Sequence, residues 1–530
     1  MKPKVLFVQP DYYRHFVQYL PNYEPLVCLL LAACVRNFAE CMVFDRRFDS
    51  ERNLRKTIRD FQPDIVATRT HTAGELFTAL RIMQVAKDID PSITTIVGGQ
   101  HPTLLPEDLF GPQTDLVCIG PGEETMREVV ITRALEGTGA DYTPIPGLAV
   151  RQDDEYLLTD PRPPRSGAVS WPRIDHTLTE RYHRHYYNTF HAKPVGFTLT
   201  SMGCPYRCTF CSLWVAARGT YRRRSPEEIA DDLAGQAYDF VHITDDNTFH
   251  DETHAMEVLR LLKKKNVKKQ YLAYARADTI VNKAHIFEAW KEVGLASLVV
   301  GMEACSDDHL KTINKRTSED ENAQAHRILE RIGIRNWAHF ITMPDFQEAD
   351  FERIWKFVDA LNICYPIFVP LTPVAGTPLF FEAKADGKLT TYDYGFYNLM
   401  YMVMRTALPK RHFYRKHLEL YSRSNSAATR AKRKASPTYD DHIFRTRARQ
   451  GTRMIPRYLL NVARQLWHEK TFSYAKKQQL LPPSLRSDYV PDNYYNSPKI
   501  MEWGRSERGH SSLPSPAPLP TPQEEILVSV

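Results

Sequence analysis

The first 145 residues alternate short apolar runs with longer amphipathic ones. Runs at Lys4–Gln9, Met42–Asp45, Asp64–Thr70, Thr94–Gly99 and Leu116–Ile119 have the length and residue types of buried strands. Between them lie helical stretches. Pro25–Arg36 is apolar nearly all round, and Glu51–Phe61 follows. Glu75–Asp90 sets Leu76, Leu80, Met83 and Ala86 on one stripe, and Glu123–Leu135 closes the set. This order predicts a parallel sheet with helices on both faces, with ligands at the carboxyl ends of the strands. Residues 147–160 read as a β-hairpin. Asp160-Pro-Arg-Pro-Pro-Arg165 continues neither a helix nor a central strand, so it reads as a linker.

From Gly196 the alternation resumes. Strands are expected at Gly196–Thr200, Phe240–Thr244, Gln270–Ala275, Ser297–Gly301, Asn336–Thr342 and Pro366–Leu371. Helices among them include Ser225–Ala237, His254–Lys265, Lys283–Val293, Glu319–Ile332 and Asp350–Leu361. A partial or full β/α, TIM-like barrel fits this series. Beyond about residue 380 the pattern turns helical and aromatic, at Tyr392–Arg405 and His412–Tyr421. Residues 424–450 are rich in Ser, Ala, Arg and Lys with weak periodicity, and 505–523 are Pro-rich and of low complexity. The fold class is α/β. Its expected parts are 1–145, a hairpin and linker over 146–190, a barrel over 191–380, a helical segment over 381–423 and a basic, partly disordered extension over 424–530.

At 530 residues with 43% hydrophobic content, the chain is neither wholly disordered nor confined to one small domain. The longest apolar run, Leu26–Val35, is half the roughly 20 residues that a membrane span needs. With no signal-peptide pattern at the start, a cytoplasmic, reducing compartment is the expectation. There, nine cysteines serve packing, metals or catalysis rather than disulfides. Charge is split: residues 401–530 carry a net +13 and residues 1–400 a net −7. Such asymmetry prompts a search for an anionic partner of the C-terminal part.

The sharpest chemical signal is Cys204-Pro-Tyr-Arg-Cys208-Thr-Phe-Cys211, just after an expected strand. Three thiolates so spaced curl around a soft metal centre. Zinc would want a fourth ligand, and no further Cys or His pair follows at a usual spacing. Three ligands suit a four-iron–four-sulfur (4Fe-4S) cluster with one iron open to a small molecule. At these residues the sequence resembles the radical S-adenosylmethionine superfamily, Phe210 supplying the aromatic of its signature. The resemblance implies that the cluster binds S-adenosyl-L-methionine and cleaves it to a 5′-deoxyadenosyl radical. It nominates Phe210, Asp245, Asp246, Arg276 and Glu303 as residues around S-adenosylmethionine. Glu303 would take the ribose hydroxyls and Arg276 the carboxylate, as a guanidinium clamps a carboxylate.

Ahead of that domain, Thr68 and Thr70 end one expected strand, Gly98 and Gly99 the next, and Gly122 and Glu123 open a helix after a third. Adjacent glycines let a ligand approach the backbone, and a helix start suits a phosphate. This trio resembles the Rossmann-like cobalamin-binding domain found before many radical S-adenosylmethionine domains. The usual Asp-x-His-x-x-Gly cobalt-ligand motif is missing after the first strand. His71 is accordingly expected near the nucleotide tail rather than on cobalt.

Together the parts resemble the class B, cobalamin-dependent radical S-adenosylmethionine methyltransferases, the hopanoid C-3 methylase group among them. Supporting stretches are Tyr19-Leu-Pro-Asn-Tyr-Glu24-Pro25-Leu26, Ala273–Ile280, Asn314-Lys315-Arg316-Thr317 and Leu389-Thr390-Thr391. The resemblance implies methylation of an unactivated carbon of a lipid or other small hydrophobic substrate. A low-potential electron donor of flavodoxin or ferredoxin type would serve it. An oxidative cyclase of the same architecture is the alternative. The basic C-terminal region reads first as a solvated, partly disordered extension; the alternatives are peripheral contact with the inner face of a membrane and, less favoured, nucleic acid.

Overall fold

The structure is a computed structural model of the chain, describing residues 2–12, 22–187, 194–471 and 478–505. Five strands, β1 (Lys4–Gln9), β2 (Glu40–Asp45), β3 (Ile65–Arg69), β4 (Thr94–Gly98) and β5 (Leu116–Cys118), form a parallel sheet in the order β2-β1-β3-β4-β5. Val5 lies opposite Cys41 on one side and Ile65 on the other. Alternate residues of β1 serve opposite faces. Val5 and Phe7 join Leu29 and Ala32 in one buried layer, and Leu6 and Val8 join Leu54 and Ile58 in the other. Burial of each such side chain is worth about 1.5–3 kcal/mol, which explains why these strands are apolar on both faces. The expected hairpin, β6 (Leu148–Gln152) and β7 (Glu155–Leu158), extends this sheet antiparallel at the β5 edge. It is part of the N-terminal sheet rather than a free link.

Next come β8 (Gly167–Ala168), β9 (Gly196–Thr198), β10 (Ser201–Met202) and β11 (Arg222–Arg223). Strands β8, β11 and β10 make a small sheet that brackets the cysteine loop. Strand β9 opens the large second sheet, continued by β12 (Phe240–Ile243), β13 (Gln270–Arg276), β14 (Leu295–Glu303), β15 (Arg335–Thr342) and β16 (Tyr365–Pro370). All its pairings are parallel and follow chain order. The sheet runs from β9 to β16 as its two edges, so the barrel is partial. Helix starts follow local chemistry. Ser225 caps Pro226–Gly235 through the Glu228 amide at 3.2 Å, with Pro226 in the first turn. Ser318 and Glu321 form a capping box, and left-handed Gly333 ends that helix.

Two C-terminal expectations need correction. Tyr392–Arg405 is not a helix. It holds one 3₁₀ turn at Tyr394–Phe396 and an isolated bridge from Leu389 to Met404. Its Tyr401, Met402, Val403 and Met404 are buried at four consecutive positions, which would cover every side of a helix rather than one face. Residues from 424 do not form a loose extension as far as Thr471. After helices Lys410–Ser424 and Ala427–Arg433, the 31-residue helix Asp441–Thr471 packs on the barrel. Residues 478–505 then strap back over both domains. Ser484 donates its amide to Asp108 at 2.9 Å, Asn496 bridges to Gly376 at 3.0 Å, and the Tyr495 hydroxyl donates to the Arg162 carbonyl. The Pro-rich stretch beyond 505 lies outside the described residues. Among the described residues, no helix is long and apolar enough to cross a membrane.

Candidate active site

The cysteine loop leaves the second sheet at the carboxyl end of β9. Two aspartates at the end of β12 shape its entry. Asp245 accepts from the Thr200 amide at 2.6 Å, from the Ser201 hydroxyl at 2.9 Å and from the Thr200 hydroxyl. Asp246 accepts from the Gly203 amide at 2.7 Å. Burial raises both carboxyls, Asp246 to about 6. The structure thus ties these two candidates to the loop backbone, as supports of the cysteines.

Within the loop the Cys211 amide donates to the Cys208 carbonyl at 3.1 Å, and the Trp214 indole to that same oxygen at 2.9 Å. The Thr209 amide reaches the Ile313 carbonyl, and Asn314 holds the Arg207 carbonyl at 2.8 Å. Phe210 packs against the main core. Burial pushes the Cys204 thiol up to about 11 and raises Cys211; each is raised further by the neighbouring Cys208. A bound iron centre would reverse this preference, since a metal holds its thiol ligands deprotonated. Among the described residues, no three His, Cys, Asp or Glu side chains close to single-ion distance. Cysteine thiolates are the donors that hold polynuclear iron–sulfur clusters.

Beside the cysteines, Arg276 ends β13 and Glu303 ends β14. Burial opposes the Arg276 charge, but Asp278 outweighs it, with Nε to Oδ1 at 3.0 Å. The guanidinium lies 3.6 Å from the centroid of the Tyr206 ring, in the cysteine loop itself. Its Nη2 also donates to the Lys315 carbonyl at 2.7 Å. Glu303 sits at an irregularity of the β14–β15 pairing with φ of 62°, and its carboxylate accepts from Lys315 Nζ at 2.7 Å. A Cβ on Gly301 would collide with that carboxylate. The Asn314–Arg316 turn therefore holds the cysteine loop, Arg276 and Glu303 together. Lys315 and Tyr206 were missed as site residues, although both lie inside motifs legible in the sequence.

The second set of candidates gathers at the carboxyl ends of β3, β4 and β5. The Thr70 amide donates to the Gly98 carbonyl at 2.9 Å, and the Thr103 hydroxyl to the Gly99 carbonyl at 2.7 Å. Gly99 has φ of 111°, and a Cβ there would strike the Thr70 carbonyl, so only glycine lets the two chains meet this closely. Thr70 Oγ1 is buried with no hydrogen-bond partner among the described residues, as expected of a group meant for a ligand. Thr68 instead donates to the Val8 carbonyl at 2.9 Å and belongs to the sheet. His71 is exposed, its amide bound to Glu75 at 2.6 Å. Gly122 starts the helix Gly122–Glu136, and Glu123 pairs with Arg222 of β11 at 3.0 Å, linking the domains. Two further contacts join the two sets. Ser212, next to Cys211, donates to Gln100, next to Gly99, at 3.0 Å. The Tyr23 and Tyr274 hydroxyls meet at 3.0 Å.

Residues 198–358 match the model of the Radical SAM superfamily, and residues 19–130 that of the B12 binding domain. The chain thus combines a radical S-adenosylmethionine domain with a B12-binding domain, and its methyltransferase relatives support a cobalamin-dependent radical S-adenosylmethionine enzyme. It is 27% identical over 420 residues to the hopanoid C-3 methylase of Methylococcus capsulatus, covering 78% of each chain. It is 25% identical over 417 residues to the anaerobic magnesium-protoporphyrin IX monomethyl ester cyclase of Rubrivivax gelatinosus, covering 76% of this chain and 73% of the cyclase. Its fold matches that of the radical S-adenosylmethionine methyltransferase TsrM of Kitasatospora setae with a TM-score of 0.60 at 18% identity, covering 73% and 76% of the two chains. The cofactors of this enzyme are therefore a 4Fe-4S cluster, S-adenosylmethionine and cobalamin. The cysteine loop has the donor chemistry for the first, and Thr70, beside Gly99, has a buried hydroxyl without a hydrogen-bond partner among the described residues.

Proposed function

We propose that this enzyme methylates an unactivated carbon of a hydrophobic, hopanoid-like lipid. The observation that carries the reading is the Ser212–Gln100 bond, which sets the cysteine loop against the Gly98–Gly99 turn. When bound, the cofactors supply one-electron cleavage of S-adenosylmethionine and a methyl carrier, chemistry no side chain offers. The chain's own residues position and shield. Cys204, Cys208 and Cys211 hold the cluster. Arg276 and Glu303 take the charged and hydroxyl ends of S-adenosylmethionine. Thr70, Gly98 and Gly99, with His71 beside them, border the cobalamin tail. Strand ends with buried supports fix these groups, as reactions needing close alignment demand. A carbon without an acidic proton gives general acid/base catalysis nothing to act on, and no base is assigned. The electron enters from a low-potential donor of flavodoxin or ferredoxin type.

The test is an anaerobic assay with deuterium-methyl S-adenosylmethionine and lipid extracts, read by mass spectrometry. A deuterated methyl on a lipid, with both S-adenosylhomocysteine and 5′-deoxyadenosine formed, supports the proposal. 5′-Deoxyadenosine without S-adenosylhomocysteine overturns it. That result would favour oxidative cyclisation, the reading that the similarity to the Rubrivivax cyclase supports.

A further inference from the structure

The helix Asp441–Thr471 has two unlike faces. Its inner face packs on the layer that meets the N-terminal domain. Tyr458 stacks on Tyr401 at 5.5 Å, and Gln465 donates to the Met402 carbonyl at 2.8 Å. Its outer face exposes large apolar side chains: Ile455 at 44%, Leu459 at 47%, Leu460 at 50% and Trp467 at 66%. The spacing of 4, 1 and 7 residues puts them on one broad stripe of a helix. Such a stripe on a surface marks an interaction site.

Charge identifies the occupant. The helix carries seven Lys or Arg against two carboxylates. Asp441 is held by Arg430 and Tyr439 at its start. Glu469 is turned inward to Lys410 at 2.8 Å and to Thr391 at 2.8 Å. Arg453, Arg457 and Arg464 border the stripe, all exposed. None of the three takes part in an ion pair among the described residues. Apolar side chains flanked by arginines match an anionic lipid surface, where Trp and Leu enter the acyl boundary and Arg meets headgroups. A nucleic acid would use the arginines but leave four apolar side chains in water. A two-fold contact with a second copy would set the same arginines against each other.

We infer that the outer face of helix 441–471 is a peripheral membrane-docking surface for anionic bilayers. The inference stands apart from the methyl acceptor, because its test reads binding rather than turnover. Full-length protein is sedimented with vesicles of phosphatidylcholine and phosphatidylglycerol in equal parts, and with phosphatidylcholine alone. Binding to the anionic vesicles that salt weakens is expected. The Arg453→Gln/Arg457→Gln variant should bind them roughly 30-fold more weakly, at about 1 kcal/mol per charge. Leu460→Ser/Trp467→Ser should lower binding at least about tenfold. Trp467→Phe keeps the apolar surface and should still bind. Quenching of its fluorescence by lipids brominated in the acyl chains should fall below that of the parent. All these side chains are exposed, and an unchanged Tm confirms folding. Equal binding by parent and Leu460→Ser/Trp467→Ser overturns the inference. So does a dimer that this variant dissociates while the parent ignores vesicles, or a preference for an oligonucleotide over vesicles.

Discussion

Ser212 Oγ donates to Gln100 Oε1 at 3.0 Å across 112 residues of chain. One follows the last cysteine of the cluster loop, and the other follows the glycine pair of the B12-binding domain. This bond ties the cysteine loop to the Gly98–Gly99 turn. A neutral hydrogen bond contributes only about 1 kcal/mol to stability, yet misplacement of about 1 Å costs about 100-fold in rate. Ser212→Ala is expected to retain iron and corrinoid and to lose about 1 kcal/mol of stability. Turnover should fall at least about tenfold, and Ser212→Thr should recover most of it. Anaerobic product formation beside metal and corrinoid analysis checks this, and unchanged turnover would show that the bond is incidental.

The cysteines divide into two populations. Cys208 lies in the loop, whereas Cys305 is buried in the barrel core. Cys208→Ala should abolish cluster incorporation, seen as lost iron and lost visible absorbance after anaerobic reconstitution. Cys305→Ala should leave iron unchanged and cost about 1–2 kcal/mol for a small cavity. Full iron content in Cys208→Ala would refute the cluster assignment.

Thr70 makes a cleaner probe of the corrinoid recess than its glycine neighbours. Its hydroxyl is buried without a protein partner, so Thr70→Val should not destabilise the corrinoid-free protein. A lost ligand bond of about 1 kcal/mol should weaken cobalamin binding about fivefold. Gly99→Ala, which meets the Thr70 carbonyl, should lower both Tm and binding. Isothermal titration and thermal melts separate the two effects. A Thr70→Val protein that binds cobalamin as the parent does would place the corrinoid elsewhere.

Much of this site was legible because its chemistry sits where periodic patterns end. Apolar runs located β3, β4, β12, β13 and β14, and the candidates lie at or within two residues of the end of each run. The spacing of Cys204, Cys208 and Cys211 needed no tertiary information. What stayed hidden depends on contacts between distant segments. Ser212 and Gln100 are ordinary polar residues until the domains meet. Residues 424–450 read as weakly periodic, and the helix 441–471 that begins there has a packed face mixing Tyr458 and Val462 with Asn461 and Gln465, while Leu459, Leu460 and Trp467 face outward. The strap at 478–505 hides among Pro and Asn. Its Tyr495 occupies the space beside Gly120, where a Cβ would strike the ring. That glycine, two residues before the Gly122–Glu136 helix, accommodates the strap.

Glu303 and Lys315 are buried together at 2.7 Å. Removing one partner strands the other charge, so Glu303→Ala should cost about 3–5 kcal/mol. Lys315→Met added to it should restore most of that stability. If Glu303 also accepts from the ribose of S-adenosylmethionine, the double variant regains its denaturation midpoint but not its affinity. Recovery of both in equilibrium unfolding and S-adenosylmethionine titration would reduce Glu303 to a structural role.

His176 gives the fold a pH dependence whose sign follows from its partners. Its Nδ1 lies 2.8 Å from Glu24, and its Nε2 lies 3.6 Å from Asp232 of the barrel's first helix. Burial alone would lower the imidazole pKa, but the two carboxylates outweigh it and push it up to about 10 from 6.5. The folded protein therefore binds a proton that the unfolded chain releases between those values. Stability from this group is full below about pH 6.5 and is lost as pH rises through about 10. The loss leaves Glu24 and Asp232 facing a neutral ring across the seam between domains. The melting temperature of the parent is expected to fall steadily over this alkaline range. In His176→Gln, which keeps a donor without a charge, the melting temperature should be lower near neutrality. Its alkaline slope should be flatter, the two curves converging near pH 10. Parallel curves would show that other groups set the alkaline limit.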